Sequence, residues 1–257
     1  MNECSSFECD KFVLEICREN VPKDGPAHAH GRCNNEIFIP MEACIATWND
    51  KNNATEFVAE KLGNDLSEPS LVAVTEALHN EVLLRTPRDA ACSAGCHYCC
   101  HIIVHASIPE TIKVACGVDR SIFNRIHDQL DELSRDEWIT YKNHWVENQI
   151  PCPFLLDGNC SVYECRPSVC RGQYSLNADE CINAYHACDP DCSITNFFNH
   201  KRVSAIPRDA LVDGCAAVGL HSYLVIMPLA VRILLKEKDA VPRWLAGEDV
   251  FREACAH

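Results

Sequence analysis

Ala91-Cys92-Ser93-Ala94-Gly95-Cys96-His97-Tyr98-Cys99-Cys100-His101 packs four cysteines and two histidines into ten consecutive positions, 92–101. Thiolate and imidazole are the side chains that bind soft and borderline metal ions. The stretch has little to contribute to an apolar core, so it reads as a loop held by its ligands while helices elsewhere supply the body. A second thiol-rich segment, Cys152 to Cys170, follows about fifty residues later. Together they predict a mainly α fold, a helical bundle-like body carrying two metal-binding cysteine-rich loops.

Composition narrows the function classes. A chain of 257 residues, 47% hydrophobic and 23% charged, can bury a sizeable core. Its net charge of −14 repels nucleic acid and anionic membrane surfaces. The acidity lies upstream: residues 1–91 hold 8 Lys and Arg against 16 Asp and Glu, and residues 92–200 hold 7 against 14, whereas 201–257 hold 8 against 7. The nineteen cysteines are an odd number and they cluster, which argues against a secreted disulfide scaffold. Met1-Asn2-Glu3-Cys4 shows no basic patch followed by an apolar run, so reduced thiols in the cytoplasm are expected. The apolar run Tyr223 to Val231 is nine residues long, where a membrane-spanning helix needs about 20, and a buried core helix is expected there.

Three regions follow from the pattern: an N-terminal helical part over 1–91, a cysteine-cluster part over 92–200, and C-terminal helices over 201–257, within one compact domain. Phe7, Val13, Leu14 and Cys17 suggest a short helix before Pro22. His28, His30 and Cys33 lack a nearby fourth partner and read as loop. A helix is expected from about Met41 to Leu62, interrupted near Asn52-Asn53. Ser67 suits an N-cap, and Leu71, Val74, Leu78 and Val82 recur at intervals of three and four until Thr86-Pro87 ends the helix. His79 lies beside that stripe and reads as a satisfied core histidine. Ile102-Ile103-Val104 suggests extended chain. Ser107 and Glu110 have capping-box spacing ahead of a helix that ends near Gly117. Ile122, Ile126, Leu130 and Leu133 mark another helical face, and Trp138, Tyr141 and Trp145 a further one. Residues 150–200 look irregular. Beyond Pro207, the positions Leu211, Cys215, Val218 and Ile226 indicate one long helix kinked near Pro228, and a last helix covers about Pro242 to Ala254.

Within the first cluster, Cys96-x-x-Cys99 has the spacing at which two sulfurs of one tight turn reach a single ion. Cys99 and Cys100 are adjacent and point apart, so they serve two ions, or one bridges, or one is structural. The passages "SAGCHYCC", "PCPFLLDGNCSVYECRP" and "CRGQY" together resemble the bacterial YkgJ-type cysteine-cluster family of zinc- or iron-chelating domains. The likeness spans about residues 92–175. It implies metal ligands at Cys96, Cys99, Cys100, Cys152, Cys160 and Cys170, with Cys92 in the place of the family's upstream cysteine at a longer spacing. His97, His101, Cys165, Cys181, Cys188 and Cys192 are additional candidates. Arg166, Arg171 and Tyr163 are expected to surround the thiolates and hydrogen-bond them.

Seven candidate thiolates exceed the four that one tetrahedral zinc takes, so the expected cofactor is zinc or iron in more than one ion, with an iron–sulfur cluster left open. The expected function is a thiolate-ligated, multinuclear metal-binding protein. The alternative is an iron-dependent oxidoreductase or oxygenase that modifies a peptide or small metabolite, the partner class expected in either case. Metalloprotease, phosphate-loop, dinucleotide, zinc-deaminase and cysteine-protease signatures are absent. Catalytic residues and oligomeric state are not legible.

Overall fold

A computed structural model of the chain describes residues 51–84, 89–93, 95–119, 122–131, 150–187, 194–196 and 198–256. The expected helix before Pro22, the His28–Cys33 segment, positions 41–50, the Thr86-Pro87 stop, Leu133 to Trp145, Cys188 and Cys192 lie outside those residues.

Helices dominate, as the periodicity predicted. Helix α1 (Lys51–Asn64) carries Asn52 and Asn53 within its first turn, where the sequence suggested an interruption. Helix α2 (Glu68–Leu84) starts where predicted, the Ser70 N–H donating to Ser67 Oγ at 3.3 Å. Leu71, Val74, Leu78 and Val82 are all buried along one side of it. Helix α3 (Ile108–Cys116) begins with a complete capping box between Ser107 and Glu110 and ends at Gly117. Helix α4 (Phe123–Asp131) buries Ile126 and Leu130.

The span 150–200 is more ordered than its composition suggested. Strands β2 (Leu155–Leu156) and β3 (Asn159–Cys160) form an antiparallel hairpin, preceded in the chain by a short strand β1 (His105–Ala106) that belongs to another pair. The hairpin turn is Asp157-Gly158, with φ of 51° and 78°. Both central residues at positive φ is the geometry that Asp-Gly favours, because its twist matches that of the strands. A single-turn helix α5 (Ser168–Arg171) and a ten-residue helix α6 (Ala178–Ala187) follow.

Two further expectations are corrected toward the C-terminus. Helix α7 (Phe198–Ala217) begins before Pro207 and runs through it. The lost N–H and ring clash cost about 3 kcal/mol, and the packing of Ala210, Leu211 and Cys215 into the core offsets that cost. The helix does not continue to Ile226. Gly219, at φ 87°, lets the chain turn away, and β4 (Val225–Ile226) pairs with β1, Ile226 opposite His105. Pro228 then sits in the first turn of a new helix, α8 (Met227–Lys236), where its missing N–H has no helical partner to lose. The expected last helix is two pieces, α9 (Ala240–Leu245) and a 3-10 turn at Arg252–Ala254.

The main core joins all three regions of the chain: Val58, Leu62, Leu71 and Leu78 meet Ile108 and Ile112, then Leu211, Leu229, Trp244 and Phe251. A second cluster, Ile126, Leu130, Phe154, Val162, Met227 and Val231, lies under the hairpin, with Cys152 and Cys160 packed on it. Among the described residues no helix is long and apolar enough to cross a membrane.

Helices α1 and α7 cross closely at Gly214, where an added Cβ would fall 2.5 Å from Val58 Cβ and Cγ1. Gly214→Ala is therefore expected to destabilise the protein by about 1–3 kcal/mol through overpacking. Gly63 in α1 faces open space, so Gly63→Ala should move the other way by about 0.5–1 kcal/mol. Urea denaturation of both variants checks the opposite signs.

Candidate metal centre

The two cysteine loops meet. The first forms a 3-10 turn, Tyr98–His101, and its Cys100 carbonyl accepts a 2.7 Å hydrogen bond from the Cys152 N–H of the second loop. Phe154, fully buried, and Val162 anchor the second loop in the lower core, and Ser161 closes back on the Phe154 carbonyl at 2.8 Å. These contacts hold the Cys152 and Cys160 ends of the hairpin against the 3-10 turn, and α5 adds Cys170.

Cys99, Cys152, Cys160 and Cys170 consequently lie within each other's electrostatic reach. Burial pushes the Cys152 thiol well up and brings Cys170 to about 12, and in both the neighbouring thiols add to the rise. Cys99 is pushed up by its hydrogen bond with the Cys100 thiol and by burial. Thiols crowded onto an apolar base resist ionisation until a cation is present, and a bound metal reverses this logic.

The backbone favours the ionised form. The Sγ of Cys152 accepts from the Phe154 N–H and the Sγ of Cys160 from the Val162 N–H, each two residues further on, and Cys96 makes the same bond with Tyr98. Arg166 adds a cation that favours the thiolates of Cys99, Cys160 and Cys170. Its guanidinium stacks over the Tyr163 ring at 3.7 Å, while its buried Nε has no hydrogen-bond partner. A thiolate would supply one. Arg171 acts differently: it donates from Nε to the Arg166 carbonyl at 2.9 Å and from a terminal nitrogen to the Glu164 carbonyl, clamping the 3-10 turn Tyr163–Cys165.

Cys92 and Cys96 lie on the other side of Cys99, with Cys181 of α6. Cys165 turns away and packs against Gly117, where a Cβ would sit 2.6 Å from its Sγ. His97 and His101 face each other at 5.6 Å between ring centroids, and His101 is 4.8 Å from the Tyr185 ring of α6. The Nδ1 atoms of both histidines are buried without a hydrogen-bond partner. Burial holds His101 below its usual range, leaving a neutral imidazole with lone-pair capacity.

As they stand, no group of three or more His, Cys, Asp and Glu side chains among the described residues is drawn close enough to hold an ion. The donor set nevertheless suits a thiophilic cation: several thiols on one apolar base, backbone N–H groups aimed at sulfur, and two orphaned imidazole nitrogens.

One residue of structural weight carried no functional signal in the sequence beyond its capping role. Glu110, fully buried, accepts from the Ser168 N–H at 2.8 Å and Oγ at 2.6 Å, from the Ser107 N–H and Oγ at 2.9 Å each, and from His79 Nε2 at 3.1 Å. It thereby ties α5, which carries Cys170, to α2 and α3. His79 is the satisfied core histidine the pattern predicted; its Nδ1 is 3.4 Å from Lys113 Nζ, and Lys113 also bonds Glu76.

No family model, curated protein or solved structure matches the chain.

Proposed function

We propose that this protein binds zinc or iron through a thiolate centre built on Cys99, Cys152, Cys160 and Cys170, with Cys92, Cys96 and Cys100 beside it. The observation that carries the reading is the i to i+2 N–H···S bond repeated at Cys96, Cys152 and Cys160. Three cysteines in different parts of two loops share one local geometry, and that geometry stabilises a thiolate rather than a thiol. Arg166, with its unpartnered Nε, fits the same centre, because several thiolates around a divalent ion leave excess negative charge. The resemblance of residues 92–175 to the cysteine-cluster family points the same way.

Elemental analysis and an absorption spectrum of anaerobically purified protein test the reading. Stoichiometric zinc or iron is expected, and Cys152→Ser should lower it. Protein that carries neither metal and takes up neither when reduced would overturn the reading. A colourless, closed zinc centre would exclude the iron-dependent oxidoreductase alternative, whereas a coloured iron centre would favour it.

A further inference from the structure

The thiols do not form one continuous group. Ser175 marks the division. Its backbone N–H donates to Cys92 Sγ at 3.3 Å, and its hydroxyl is in hydrogen-bond contact with the Cys181 thiol. The same residue fastens the first loop to the segment ahead of α6, since its carbonyl accepts from the Ala91 N–H at 2.9 Å. Cys96 is brought to this side by a turn in which its N–H donates to the Ser93 carbonyl at 3.0 Å, with Gly95 at φ 84°. A side chain at Gly95 would be strained there.

Cys181 stands one helical turn before Tyr185, and Tyr185 packs edge-on against Tyr98 at 5.4 Å between ring centroids. Residues four apart share one helix face, so the aromatic contact that seats α6 on the 3-10 turn also directs Cys181 at the first loop. From these hydrogen bonds and this docking we infer that Cys92, Cys96 and Cys181 form a second metal station for one thiophilic divalent cation, distinct from the Cys99–Cys152–Cys160–Cys170 centre. The inference rests on the thiolate reading above and adds to it a ligand from α6 and a division of labour.

Electrostatics supports the grouping. Burial and then the neighbouring Cys92 thiol raise Cys96, and Cys181 is raised by burial and again by Cys92, so each of the three feels the other two. Cys99 alone reaches both groups. It is the sulfur through which one station would sense the other.

Reduced, metal-free full-length chain titrated anaerobically with Co(II) alone provides the test, read as sulfur-to-cobalt charge-transfer absorbance per equivalent added. Wild type should take up two equivalents. Cys181→Ser and Cys92→Ser should each lose the same single equivalent, and Cys152→Ser should lose the other. Circular dichroism of each variant reports whether the helices persist. Two equivalents retained by Cys181→Ser would overturn the second station, as would a single wild-type equivalent abolished by both Cys181→Ser and Cys152→Ser. Wild type without any thiolate–cobalt absorbance would overturn the underlying thiolate reading as well, which keeps the two failures distinguishable.

Discussion

Glu110→Ala is expected to remove about 3–5 kcal/mol of stability, the range for breaking a buried ionic pair by deleting one partner. The carboxylate is fully buried and accepts hydrogen bonds from two serine N–H groups, two serine hydroxyls and one imidazole. Alanine would leave those donors without an acceptor in a site closed to water, and unmade buried hydrogen bonds are the expensive kind. Because Ser168 opens α5, the damage should extend to Cys170 two residues on. Urea denaturation at neutral pH gives the number, and a loss below about 1 kcal/mol would show that the network contributes little.

The same network makes stability fall on acidification. Burial, reinforced by the Lys113 charge, holds His79 down at about 4. Burial alone would raise Glu110, but the bonds from His79, Ser168 and Ser107 more than reverse it and bring the carboxyl to about 2. Both groups therefore titrate lower folded than unfolded, where 6.5 and 4.5 apply. The unfolded chain binds protons that the native one refuses, so stability is lost as pH falls, His79 contributing from 6.5 to about 4 and Glu110 from 4.5 to about 2. His79→Gln keeps a donor for Glu110 and cannot titrate. It should lose less stability than wild type between pH 7 and pH 5.

What the sequence disclosed follows from how local each signal is. Ser67, the Leu71–Val82 stripe and the Ser107–Glu110 box are statements about neighbouring residues, and they hold in the structure. Asp157-Gly158 is equally local; it is the strongest short hairpin signal in the span 150–200 and was hidden by the surrounding Pro, Asn and Cys. Tertiary packing decided the rest. Pro207 reads as a boundary until α1 packs across it, and Ile226 continues a helical pattern until β1 pairs with it. The candidate ligands Cys99, Cys152 and Cys160 were visible as motifs. The partners of Glu110 at 58 positions' distance, and the alignment of Cys181 with Cys92, depend on loops meeting, which no local pattern reports.

Metal removal is expected to act unevenly along the chain. The second loop buries few side chains; between Cys152 and Cys165 they are Pro153, Phe154, Leu156 and Val162. Burying a Phe, Leu or Val side chain is worth about 1.5–3 kcal/mol, whereas thiolate-bound structural zinc supplies about 10–16 kcal/mol in small zinc-finger peptides. If the loops hold metal, the metal contributes most of the stability there. Helices α1 and α7 stand on a different footing, because Val58, Leu62, Leu211 and Cys215 belong to the main core and touch none of the thiol loops' anchors. Hydrogen exchange on reduced protein, before and after a chelator, should therefore show protection lost across 152–171 and retained across 51–64 and 198–217. The mutual repulsion of ionised thiols would add to the loosening once the cation is gone, since Cys99, Cys152, Cys160 and Cys170 each raise another. Unchanged protection over 152–171 in protein shown by elemental analysis to have lost its metal would mean that Phe154, Val162 and the Glu110–Ser168 bonds hold the loop by themselves. In that outcome the thiols would be left free for exchange chemistry instead of structural ligation.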